Sequence, residues 1–245
     1  MTTYDFNDGN GLVPAHQHPN GGGWVADTAT VAVSAFVGPD AEVTGKALVT
    51  GDAQVYDNAQ VYDNAQVYGN AEVYGKAQVS GNAQVTGKAL VYGKAQVSDK
   101  AQVSGDAQVY GDAQVYGKAL VYGKALVTGD ALVTGDAQVY DNAQVYGNAR
   151  VYGNARVYGK AQVYDNAQVY GNAKVTKTPV RIPRSDGYDF IIVPCSDGKE
   201  RIIAGCRYFT YEEADKHWNK EHKMYAETTI ILRSLKELYE LQKSL

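Results

Sequence analysis

Residues 65–70 read AQVYGN, and the same six letters return at 167–172. From Ala29 to Ala173 every sixth residue is alanine, 25 times without a gap. A valine stands two residues after each, from Val31 to Val175. Chance does not produce such registry, and a six-residue period leaves room only for a short strand and a bend. Side chains alternate along a strand, so Ala and Val share the inward face while the residues after them, mostly Gln and Tyr, point out. The last two positions, Gly-Asn, Gly-Lys, Gly-Asp or Asp-Asn, supply the corner, where Gly and Asn accept left-handed backbone angles at little cost. One hexapeptide cannot bury its own face, so the copies must stack into a solenoid.

The spacing of an aliphatic residue and a small one four positions later (Val31 and Ala35, Val55 and Ala59) resembles the left-handed parallel β-helix of hexapeptide-repeat proteins. The resemblance implies three hexads per triangular coil, about eight coils, and a left-handed path. At roughly 4.8 Å per stacked strand, such a rod is about 40 Å long. The expected fold class is therefore mainly β: a left-handed parallel β-helix at 23–178, an N-terminal capping segment at 1–22, and a small α+β domain at 179–245. The best-known bearers of this fold are acyltransferases, which resemble this chain in the repeat but interrupt it with a loop and carry a catalytic His. Here nothing interrupts the array, and the four histidines (His16, His18, His217 and His222) all lie outside it. Without a general base beside the acceptor, acyl transfer loses its main source of rate. The expectation is no enzymatic activity and no cofactor.

Stacking the hexads by threes lets the outer surface be read. One face carries Tyr56, Tyr74, Tyr92 and Tyr110 in successive rungs, flanked by Leu90 and Leu126, with Phe36 at its start. A second carries Tyr122, Tyr140 and Tyr158 with Leu120; the third has Tyr62, Tyr116, Tyr152 and Tyr170 in broken order. Stacked tyrosines can simply cover a sheet and favour β structure. They can also form an interface, because aromatic residues dominate binding hot spots. The first face is the candidate contact for a protein partner or for another copy. The array holds 12 basic and 14 acidic residues between 23 and 178. A nucleic-acid track needs a one-signed stripe, so no nucleic-acid partner is expected.

Composition agrees with this reading. The chain of 245 residues holds 26 Gly and 20 Tyr but four Phe, and its net charge is −4. No apolar run approaches the roughly 18 residues of a membrane helix, so no membrane partner is expected. The opening MTTYDFNDGNG lacks the basic and apolar blocks of a secretory leader, and two Cys suit a reducing cytosol. Residues 5–11 (DFNDGNG) superficially suggest a calcium loop with an incomplete ligand set. His16 and His18 could share a metal; the alternative is a polar segment folding over the first coil.

The repeat fails at Lys177-Thr178-Pro179. Beyond it, 188–193 and 201–204 form a hairpin pattern around Ser-Asp-Gly. Thr210 to Glu213 reads as a capping box opening a helix that includes Ala214 and Trp218. A second helix at about 224–243 places Ile231, Leu235, Leu238 and Leu245 at three-to-four spacing, to pack on the hairpin and last coil or to pair with copies of itself. Cys195, Cys206, His217 and His222 invite a zinc hypothesis, with His-x4-His acceptable on a helix. The alternative sets Cys195 and Cys206 facing each other across the hairpin as buried small residues.

Taken with the array, HQHPNGGGWVADTATV (16–31) and IIAGCRYFTYEEADKHW (202–218) make the chain similar to phage- and prophage-encoded hexapeptide-repeat proteins. That resemblance implies a phage origin, the cytoplasm of a bacterial host and no established enzymatic activity. The expected function is binding of a host or phage macromolecule, for example as an inhibitor of a bacterial defence system. A virion tail or fibre component, or a small-molecule-binding or acyltransferase-like trimer, stands as an alternative. A homo-oligomer, trimer or dimer, is expected from resemblance.

Overall fold

A computed structural model describes residues 2–218 and 222–244. Between Trp24 and Val175 the chain winds through two- and three-residue strands that stack into three parallel sheets. Each strand pairs with the one 18 residues on, as Gln66 with Gln84 and Val67 with Val85, so three hexads make one coil and about eight coils make the rod. Coils are laced by backbone bonds such as Tyr74 N–H to the Val91 carbonyl, 3.0 Å. Every array Ala and Val from Ala35 to Ala161 is fully buried, because both point to the axis and neither is large enough to overfill it.

The corner differs from expectation in one respect. The left-handed backbone angle falls on the first corner residue, always Gly or Asp within the regular array, and never on the Asn that follows. Asp57, Asp63, Asp99 and Asp141 bear this strain with φ between 56° and 59°, and each carboxylate accepts the N–H of the glycine one coil on, at 3.0–3.2 Å. That bond offsets a conformation that disfavours a Cβ. The second corner position is unstrained, which is why it takes Asn, Lys or Asp alike.

The N-terminal segment is more ordered than a polar flap. Thr3–Asp5 and Leu12–Gln17 form an antiparallel hairpin, and the second strand pairs with Trp24–Ala26, extending one rod sheet. DFNDGNG is the hairpin loop, with Asp5 and Asp8 each accepting the N–H two residues on. Tyr4 stacks on Trp24 at 4.3 Å and meets Phe6 edge-on at 4.9 Å, which gives this end a small aromatic core.

The C-terminal region is a four-stranded antiparallel sheet, Val180–Pro183, Asp189–Pro194, Glu200–Ala204 and Arg207–Phe209, not a hairpin alone. Strand alternation divides its side chains. Ile191, Val193, Cys195 and Ile203 close the rod's core, while Phe190, Ile192, Ile202 and Ala204 face two helices. The first helix, α1 (Tyr211–His217), has the expected capping box; Trp218 is its buried C-cap residue rather than part of the helix. The second, α2 (Tyr225–Ser244), buries Ile231 and Leu235 against the sheet, together with Thr228, Leu232 and Tyr239. It also ties to the end of the rod through Lys177 Nζ to the Gln242 carbonyl, 2.8 Å. Leu238, expected in that contact, is instead 47% exposed, because the buried stripe follows Leu235 and Tyr239. Leu245 lies outside the described residues.

Candidate interaction surface

The rod brings the first-face residues together. Tyr56, Tyr74, Tyr92 and Tyr110 stack in one column with ring centres 4.6–4.9 Å apart and planes within 11° of parallel. The spacing matches the distance between stacked strands, so each ring rests on the next coil's ring. Leu90 and Leu126 lie in the same sheet two coils apart, each neighbouring Gln108, and Phe36 pairs with Gln54 at the sheet's start. The four tyrosines, Phe36, Leu90 and Leu126 are all partly buried. The ladder thus presents ring edges and hydroxyls, framed by Leu and Gln, instead of open ring faces. Burial lifts the phenols of Tyr56, Tyr74 and Tyr92 above the usual tyrosine range, and for Tyr56 the bond it donates to Glu72 adds to this.

Thr128 interrupts the column, and Tyr146 and Tyr164 resume it with centres 5.4 Å apart. The same 18-residue spacing that groups the first four would have found these two. The second column, Tyr122, Tyr140 and Tyr158, is continuous at 4.8 and 4.9 Å. In the third, Tyr152 stacks on Tyr170 at 4.8 Å and the C-terminal sheet continues the column with Tyr208, 5.3 Å away and tilted. Tyr170 donates its hydroxyl to the Arg207 carbonyl at 2.6 Å, so this column is part of the joint between rod and cap. Corner charges pair across coils, Lys94 with Asp112 at 3.5 Å and Lys118 with Asp136 at 3.8 Å. Exposed pairs of this kind contribute little stability.

The zinc set is not assembled. Cys195 is buried under the last coil with Sγ 2.8 Å from the Tyr208 hydroxyl, whereas Cys206 sits exposed in the turn before Arg207. The two therefore do not face each other across the hairpin. Burial pushes the Cys195 thiol up, away from the thiolate a metal requires. His217 ends α1 and His222 precedes α2, so one helix does not carry both. Among the described residues no three His, Cys, Asp or Glu side chains converge as metal ligands. His16 and His18 are likewise separated in role: His16 Nδ1 lies 2.8 Å from Asp27, and His18 is buried against the Asn20 carbonyl.

An open cleft of about 840 Å³ separates the N-terminal hairpin loop from the neighbouring rod face. Phe6, Val13 and Tyr62 line it with Asp8, Asp27, Glu42 and Asp63, and no Lys, Arg or His does. Among the described residues no helix is long and apolar enough to cross a membrane.

The chain is similar to a family described as the YdcK β-solenoid repeat, at residues 59–75, 65–81, 77–93, 101–117, 107–123, 143–159 and 149–165. Each match is just under one 18-residue coil, and together they span about a third of the chain. The likeness supports a β-solenoid repeat protein, as the structure does. No curated protein sequence matches the chain significantly.

Proposed function

We propose that this is a non-enzymatic, phage-encoded β-solenoid that acts in the cytoplasm of a bacterial host by binding a protein. The binding surface is the face built on Tyr56, Tyr74, Tyr92 and Tyr110, with Phe36, Leu90 and Leu126 beside it. A partner whose loss would serve the phage, such as a component of a bacterial defence system, is the expected target. The observation that carries this reading is the run of four stacked tyrosines, Tyr56 to Tyr110. Its rings are held parallel at 4.6–4.9 Å before any partner arrives, so little side-chain freedom remains to be lost on binding. Tyrosine also supplies both apolar edge and hydroxyl, the combination that hot spots favour. The phage assignment rests on the resemblance of the two flanks and the array. The non-enzymatic reading rests on a rod surface of Gln, Tyr, Lys and Asp that offers no histidine as a base.

Affinity purification of the tagged chain from phage-infected bacteria, beside mass spectrometry of purified phage particles, tests the reading. The expected result is a stoichiometric host or phage protein on the tagged chain and none of the chain in particles. Abundance in particles with no captured protein would instead establish a tail or fibre component.

A further inference from the structure

We infer that α2 pairs with α2 of a second copy of this chain, antiparallel and crossing at Ser234. The helix covers the sheet with Thr228, Ile231, Leu232, Leu235 and Tyr239, yet leaves three large apolar side chains in solvent. Ile230 is 66% exposed, Leu238 47% and Leu241 57%. At 100° per residue these three and Ser234 fall within an arc of about 80°, so they form one stripe and not scattered exposure. Isolated exposed leucines need no explanation, but a continuous stripe on a helix marks a contact.

The stripe is self-complementary, which points to a second copy and not to an unrelated helix. Ile230 and Leu238 stand four residues either side of Ser234. An antiparallel partner crossing at that small residue sets Ile230 of one chain over Leu238 of the other, twice. By the same register Leu241 lies opposite Glu227, whose carboxylate is held by Ser185. Charge obeys the same symmetry. Arg233 and Glu237 flank one edge of the stripe, 3.1 Å apart, with side chains 80% and 65% exposed. In an antiparallel pair that edge faces itself, so each Arg233 comes beside the other chain's Glu237. A parallel pair lacks this exchange. Three apolar side chains per helix make a contact smaller than the standard interface area, so the dimer dissociates on dilution.

Sedimentation equilibrium of the full chain from about 1 to about 200 µM reads the association directly. The mass is expected to rise from monomer towards dimer over this range. Leu238→Glu holds it at monomer, while circular dichroism shows that the cap remains folded, since position 238 is exposed. Arg233→Glu weakens the dimer about tenfold or more, and Arg233→Glu combined with Glu237→Arg restores it. Tyr74→Ser with Tyr92→Ser leaves the dimer unchanged, which separates this inference from the ladder's proposed role. A monomer at every concentration, or a dimer indifferent to Leu238→Glu, would overturn the inference. Failure of the charge swap to restore pairing would overturn the antiparallel arrangement.

Discussion

At the scale of single residues, the corner shows how the sequence spends its strain. A Cβ placed on Gly87, at φ +73°, would lie 3.0 Å from both the N and O of Gly105 in the next coil. Gly87→Ala should therefore lower stability by about 1–2 kcal/mol, from left-handed strain and crowding. Gly87→Asp should lose less, by about 1 kcal/mol, because its carboxylate can accept the Gly105 N–H as Asp57 accepts that of Gly75. Urea denaturation of the two variants checks this, and equal losses would refute the account of the aspartate corners. The inward Ala and Val were legible from period alone, since only those side chains recur without exception. The division of labour at the corner was not. Composition shows Asp-Asn beside Gly-Asn but not which member turns left-handed. Asp165 shows the rule at its limit: its strand, Gln162–Val163, is the last of its rod sheet, so no further coil offers a glycine N–H, and Arg181 binds the carboxylate instead, at 3.0 Å.

At the scale of elements, the C-terminal cap owes its coherence to polar joints that hydrophobic spacing does not reveal. Arg184 is nearly buried, donates two bonds to Asp186 at 2.7 and 2.9 Å and a third to Thr228 of α2 at 3.0 Å, and lies over the Phe190 ring. Glu227 accepts from both the N–H and hydroxyl of Ser185. These contacts set the rotation of α2. Without them, its apolar residues at 230, 231, 232, 235, 238, 239 and 241 permit more than one buried stripe, which is why Leu238 was misplaced by spacing. Arg184 holds the Asp186 carboxyl below the usual range, and backbone N–H bonds from Lys199 and Thr210 do the same for Asp197 and Glu213. With folded pKa values depressed, the unfolded cap takes up protons first. The stability these groups contribute is complete above about pH 5 and is lost as pH falls below about 4 through the folded values. Amide protection factors across 180–217, taken relative to intrinsic exchange at each pH, should fall on acidification over that window, and Asp186→Asn should reduce the pH dependence. Protection factors that stay constant down to about pH 3 would contradict the assignment.

At the scale of the whole molecule, the chain is a repeat rod with a different closure at each end. The C-terminal sheet seats Ile191, Val193 and Ile203 on the last coil, whereas the N-terminal hairpin extends one of the three rod sheets. The rod was legible because 18-residue translation makes every coil restate the same instruction. The closures were legible only as fragments, because each is built once and its pairing is long-range. Translation also explains the surface: any tyrosine repeated at 18 residues must stack, so a ladder can arise from the period alone or be kept for recognition. Only binding separates those two origins, and the columns supply an internal control. Tyr74→Ser with Tyr92→Ser breaks the first column, and Tyr122→Ser with Tyr140→Ser breaks the second, at comparable structural cost. The measurement is the amount of partner protein retained by each variant on affinity purification from infected bacteria, with thermal unfolding run alongside. The proposed function predicts loss of most of the partner from the first variant and retention by the second, with similar melting temperatures. Equal retention by both would contradict it and leave the tyrosine ladder as a covering for the sheet.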